Sequence, residues 1–99
     1  VSIGEDCMIS SNVRICTGDS HSLVNLNGMR INHSQDIIIG NHVWIGTRAV
    51  LNKGVEITNN CIVGACALLT GTFTKPYSVI AGVPATVIKS CVDWRRERL

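Results

Sequence analysis

Residues 37–70 read "IIIGNHVWIGTRAVLNKGVEITNNCIVGACALLT", and an aliphatic side chain falls at every sixth position: Ile39, Ile45, Leu51, Ile57, Val63 and Leu69. Four residues after each stands a second small or apolar residue: Val43, Ala49, Val55, Cys61, Ala67 and Phe73. The small residue and the next aliphatic are two apart, so both face one side of an extended segment. Val43-Trp44-Ile45, Ala49-Val50-Leu51, Val55-Glu56-Ile57 and Cys61-Ile62-Val63 are therefore minimal strands. Polar corners such as Gly40-Asn41-His42 and Asn52-Lys53-Gly54 separate them. A helix needs apolar spacing near 3.6, which a period of six does not supply.

Strands this short bury their inward face only by coiling, each turn stacked on the next, and hexapeptide repeats are the signature of a parallel β-helix. Three strands per turn stack Ile39 on Ile57, Ile45 on Val63 and Leu51 on Leu69. Ile3, Ile9 and Ile15 continue the same phase upstream, with Cys7 and Val13 in the small inward places. A buried aliphatic contributes roughly 1.5–3 kcal/mol, so nine in ladders offset much of the entropy of ordering a small domain.

The other numbers bound the class. Ninety-nine residues make one domain, near the lower size for a self-sufficient core. Aromatic residues are 4% of a chain that is 45% hydrophobic, so the core is aliphatic. A net charge of +2 gives no reason to expect a nucleic-acid partner. Five cysteines without CxxC spacing argue against a disulfide framework or a zinc knuckle and for a reducing, cytoplasmic setting. Apolar runs of a few residues give neither a signal peptide nor a membrane span. The chain starts without Met and already in rhythm, which suggests that upstream residues are missing.

Between Ile15 and Ile37 the rhythm stops. The next strand is due at 19–21, where Asp19, Ser20 and His21 stand, and polar groups fill an apolar column only at a cost. The next fitting strand is Ile37-Ile38-Ile39, so the interruption is phase-neutral. Within it, Leu23-Val24-Asn25-Leu26 and Met29-Arg30-Ile31-Asn32 flank Asn27-Gly28, a strong hairpin signal in which both turn residues take φ > 0. A protruding hairpin arm over about 17–36 is predicted. Its Leu23, Leu26, Met29 and Ile31 need cover, which a second subunit would provide. "AGVPATVIK" ends the repeat, because Pro84 cannot donate to a ladder. The tail "SCVDWRRERL" predicts a short C-terminal helix over about 90–99, with Val92 or Trp94 packing back.

The 37–70 stretch, followed by "SVIAGVPATVIK" and preceded by "DSH", resembles the hexapeptide-repeat acyltransferases, closest to the branch that O-acetylates sugars and polysaccharides. The resemblance covers nearly the whole chain and implies a left-handed parallel β-helix, a homotrimer, acetyl-CoA as acyl donor and a saccharide hydroxyl as acceptor. It makes His21 the general base, a role suited to a side chain with pKa near 6.5. Asp19 would orient the imidazole or contact the acceptor, or simply form the turn; Asn25 and Asn32 are weaker candidates. Trp44 points outward between inward Val43 and Ile45, and the resemblance sets it beside the donor and acceptor at the subunit boundary. Thr47, Ala65 and Thr70 would line the pantetheine groove. Lys89 matches a basic residue that could meet a CoA phosphate. Gly71 stands where the family often has Lys, and Lys75 would substitute for it.

Cys16 and Cys66 have no family counterpart as nucleophiles. Some members of the fold are zinc carbonic anhydrases, but His21, His33 and His42 lack their H-x4-H pair, so no metal is expected. A trimeric scaffold without catalysis is the alternative of another class, and the acceptor itself is not legible.

Overall fold

In the computed structural model, which describes residues 1–99, every regular element is a strand. Two-residue strands follow the six-residue rhythm: β1 (Ser2–Ile3), β2 (Met8–Ile9), β3 (Arg14–Ile15), β4 (Ile38–Ile39), β5 (Trp44–Ile45), β6 (Val50–Leu51), β7 (Glu56–Ile57), β8 (Ile62–Val63), β9 (Leu68–Leu69) and β10 (Thr72–Phe73). Two longer strands, β11 (Ser78–Gly82) and β12 (Ala85–Ser90), form an antiparallel hairpin that ends the repeat. Pro84 sits in its turn, after a cis peptide bond, where no ladder donor is required.

The short strands assemble into three faces, ordered β1-β4-β7-β10, β12-β11-β8-β5-β2 and β3-β6-β9. All pairs between successive turns are parallel. Ile39 lies beside Ile57, Ile45 beside Val63 and Leu51 beside Leu69, as the spacing predicts. Across the interruption Ile3 meets Ile39, Ile9 meets Ile45 and Ile15 meets Leu51, so the inserted segment leaves the lattice in register. Thirteen buried residues form one cluster along these columns, from Ile37 to Ile80, with Cys61 among them. The first turn departs from the expectation of nine buried aliphatics: Ile3 and Ile9 are 45% and 41% exposed. A neighbouring turn covers each of them from one side only.

The corners explain which polar residues the repeat tolerates. Asp6, Asn12, His42, Arg48, Gly54, Asn60 and Cys66 all have φ between 53° and 79°, and they too recur at multiples of six. The left-handed conformation costs roughly 1–2 kcal/mol for a residue with a Cβ, so each corner relies on the ladder beside it. Gly46, which closes "VWIG", has a different reason to be glycine. A Cβ there would lie 2.7 Å from the Ala65 nitrogen and 2.8 Å from the Val63 carbonyl of the next turn.

The excursion leaves after Cys16 and its root is closed by Gln35 N–H donating to the Thr17 carbonyl at 2.9 Å. The expected two-stranded arm does not form. One isolated antiparallel bridge, Val24 to Arg30, is all the pairing it carries. Nor is the turn the expected one, because only Gly28 has positive φ, at 80°. Asn25 replaces part of the ladder: its Oδ1 accepts from the Asn27 and Met29 amides at 2.9 and 3.0 Å, a side-chain turn that competes with strand pairing. The molecule measures 57 × 21 × 20 Å. Strands about 4.8 Å apart stack to much less than the long dimension, which therefore includes chain outside the coil.

The expected C-terminal helix is also absent, since residues 91–99 contain no regular element. Trp94 does pack back and is 5% exposed. Its ring stacks on His42 at 4.0 Å with planes 9° apart, and its Nε1 donates to the His42 carbonyl at 2.9 Å. The His42 Nδ1 meets Asp6 Oδ2 at 2.7 Å and its Nε2 meets the Trp94 carbonyl at 3.0 Å. Arg96 donates to Asp6 Oδ1 at 2.6 Å and lies over the Trp94 ring. These long-range bonds hold the tail extended, and a helix would break them.

With acceptors at both ring nitrogens the protonated form of His42 is favoured, its pKa raised above 6.5 by the Trp94 carbonyl and then by Asp6. The His42 carbonyl bond and ring stack hold at any pH, but the charged contribution is complete only below the unfolded value and is withdrawn as pH rises through the folded one. The melting temperature should therefore fall from pH 6.5 into the mildly alkaline range, and His42→Gln should flatten that slope; equal slopes in both proteins would contradict the assignment. Gly46→Ala should lower stability by about 2 kcal/mol, within the range for overpacking, as read by urea unfolding. A loss below about 0.5 kcal/mol, the range of an ordinary surface change, would show that the turn-to-turn approach is less tight.

Candidate functional site

Asp19, Ser20 and His21 stand where the column would have continued, and the backbone there is strained. Ser20 has φ of 68° with no glycine to ease it, a conformation that persists only when its surroundings hold it. His21 is exposed. Its carbonyl accepts from Asn32 Nδ2 at 2.8 Å. The Asp19 carboxylate bonds Lys53 Nζ at 2.6 Å and Asn32 Nδ2 at 2.9 Å, so its partners are these two and not the His21 ring. Lys53, and after it Asn32, hold the Asp19 carboxyl below the usual carboxylate value.

A concave site of about 330 Å³ opens at this root, lined by Arg14, Cys16, Gly18, Asp19, Ser20, Val50 and Asn52. It lies on the β3-β6-β9 face, directly before His21 in the chain. Both ends of the excursion are tied down here, one through Asp19 to the coil and the other through Asn32 to Asp19.

The remaining sequence-predicted residues lie on the coil and its closing hairpin. Trp44 is half-buried, with Met8 and Ile62 as its ladder neighbours. Its Nε1 donates to Ser10 Oγ at 3.3 Å, and Trp94 of the same chain leans against it at 6.1 Å. The outward indole thus already has one intramolecular cover. Thr47 and Ala65 occupy stacked corners, where the Cys66 amide donates to the Thr47 carbonyl at 2.9 Å. Thr70, Lys75 and Lys89 are exposed. Lys89 is in β12 opposite Val79, and Lys75 lies just before β11. No side-chain bond joins these donor-groove candidates to one another or to His21.

All five cysteines are free. Burial pushes the Cys61 thiol up, which suits packing and not nucleophilic chemistry. His33 is exposed, and no group of three or more His, Cys, Asp or Glu could hold a metal ion. Two contributors were underrated or missed in the sequence. Asn32 is buried at the centre of the excursion. Lys53 was readable from register: Ile15 pairs with Leu51, and two residues further the same offset sets Thr17 beside Lys53.

Comparison with known proteins agrees with this architecture. The family model described as "Bacterial transferase hexapeptide (six repeats)" matches residues 36–71. The polysialic acid O-acetyltransferase of Neisseria meningitidis is 46% identical over 98 residues, which is 98% of this chain and 46% of that protein. The crystal structure of a polysialic acid O-acetyltransferase superposes with a TM-score of 0.95 at 45% identity, over 99% of this chain and 47% of the other. A galactoside acetyltransferase in complex with coenzyme A superposes at 0.76 and 36% identity, over 89% and 44%. The chain spans less than half the length of these proteins.

Proposed function

We propose that the chain is a hexapeptide-repeat transferase of the sugar O-acetyltransferase branch, as its matches support, and that it is an acetyl-CoA-dependent O-acetyltransferase acting on a saccharide hydroxyl. The observation that carries this reading is the interruption itself. An exposed histidine follows directly on Asp19 and Ser20, which line a concave polar site on an otherwise regular coil, and Ser20 is in a left-handed conformation. His21 takes the proton of the acceptor hydroxyl as that oxygen attacks the thioester carbonyl. The carbon–sulfur bond then breaks, and the imidazolium returns the proton to the departing thiolate. No covalent enzyme intermediate is required. The likeness to a CoA-bound galactoside acetyltransferase supports the donor, and the polysialic acid relatives support a saccharide acceptor.

We read the coil as a left-handed parallel β-helix, following those relatives. Trp44, Thr47, Ala65, Thr70, Lys75 and Lys89 belong to the donor groove in this reading, the two lysines toward the CoA phosphates. Leu23, Leu26, Met29 and Ile31 of the excursion are 57–108% exposed, and apolar exposure of that density calls for a partner surface; the resemblance to the family makes that assembly a homotrimer. Use of acetyl-CoA puts the protein in the cytoplasm.

Thiol release from acetyl-CoA, measured across a panel of neutral sugars, amino sugars, acidic saccharides and serine, tests both activity and acceptor. His21→Ala should lower kcat by about 10²–10⁴-fold, the usual range for general-base catalysis, with an unchanged melting temperature. An unchanged kcat would remove His21 from the mechanism, and absence of acetyl-CoA binding by calorimetry would favour a non-catalytic trimeric scaffold.

A further inference from the structure

Asn32 is the only buried residue between Thr17 and Asp36, and it is 7% exposed. Its amide uses its full hydrogen-bonding capacity. Oδ1 accepts from the Leu23 amide at 2.7 Å and from Arg30 Nε at 3.2 Å. Nδ2 donates to Asp19 Oδ2 at 2.9 Å and to the His21 carbonyl at 2.8 Å. The four partners dictate the orientation of the amide. Flipping it would turn the NH₂ toward two donors and the oxygen toward a carboxylate and a carbonyl. One side chain thus grips alternate residues 19, 21 and 23 of the segment that leaves the coil.

The grip has a consequence for the histidine. Ser20 sits in a left-handed conformation between two of the gripped residues, and nothing but surrounding bonds can hold it there. Asp19 is anchored in turn to the coil by Lys53. The His21 ring makes no side-chain bond of its own, so the hold on its backbone is what fixes the point and the Cα–Cβ direction from which it projects.

We infer that Asn32 is the positioning residue for His21: its bond to the His21 carbonyl fixes the main chain from which the imidazole reaches the acceptor. The inference rests on the reading of His21 as the base. Small misplacements of a reacting group cost large factors in rate, so loss of the bond acts on turnover more than on donor binding.

Three variants of the full chain test it, with His21→Ala as reference. Asn32→Ala removes all four bonds, and Asn32→Asp keeps the acceptors for Leu23 and Arg30 while losing both donors. Each should lower kcat by about 10–100-fold, with KM for acetyl-CoA within about twofold and a melting temperature like the wild type. Arg30→Ala removes a neighbouring bond but leaves the grip on His21, and its kcat should stay within about threefold. Wild-type kcat in the Asn32 variants would overturn the inference. So would a loss matched by Arg30→Ala or by a fall in melting temperature, since either result marks general loosening of the loop. If His21→Ala itself keeps full activity, the base assignment fails and the positioning role with it. If His21→Ala is inactive and Asn32→Ala is not, only the role of Asn32 fails.

Discussion

Every turn of this chain must return above itself after eighteen residues, with an aliphatic side chain delivered into each of three columns. The β4-β7, β5-β8 and β6-β9 pairs are the direct expression of that requirement. A strand of two residues has no independent stability, because three or more paired strands with an apolar face are needed for that. Stability comes from stacking: Ile39, Ile45, Leu51, Ile57 and Val63 each lie between counterparts in the turns on both sides and are at most 2% exposed. Leu69, on the edge strand β9, is covered on its far side by the closing hairpin. The open first turn shows the converse, since Ile3 and Ile9 hold the same positions in the repeat but lack a second neighbour.

The corners are subordinate to the columns. Arg48 and Cys66 adopt a conformation that their side chains disfavour, and they do so because the strands on either side are already committed. Their amides are bound across the stack, Arg48 to the Ser11 carbonyl and Cys66 to the Thr47 carbonyl. Corner residues therefore vary widely in chemistry, from Asp6 to Cys66, while the small inward residues do not. Gly46 is restricted for a separate reason, the closeness of Ala65.

What the sequence made legible divides along the same line. Columns, faces and the phase-neutral interruption followed from spacing alone, because one periodic constraint determines all of them. The C-terminal helix was misread because "DWRRER" has helical propensity and nothing local opposes it. Propensity is a weak prior, and the opposing bonds come from Asp6 and His42, residues remote in sequence. The turn of the excursion was misread through Asn27-Gly28, when the decisive residue was Asn25, whose side chain takes two amides from the ladder. Around the candidate site, Asp19 and His21 stood out as polar residues in an apolar place. Asn32 did not, since its significance lies in burial and in four simultaneous bonds that no spacing announces.

A phase-neutral excursion separates two demands that usually conflict. The proposed site is made of polar side chains, with Ser20 in a left-handed conformation, and such residues would disrupt a column if they replaced one of its members. Here the chain omits that turn altogether: β3 pairs with β6 as though nothing intervened. The excursion is then fastened to the finished coil at its root by the bond of Gln35 to Thr17 and the ion pair of Asp19 with Lys53. Lys53 belongs to a corner, the part of the repeat that tolerates any chemistry. The rigid lattice can thus support a polar site without contributing any inward residue to it, and changes in the site need not disturb the core.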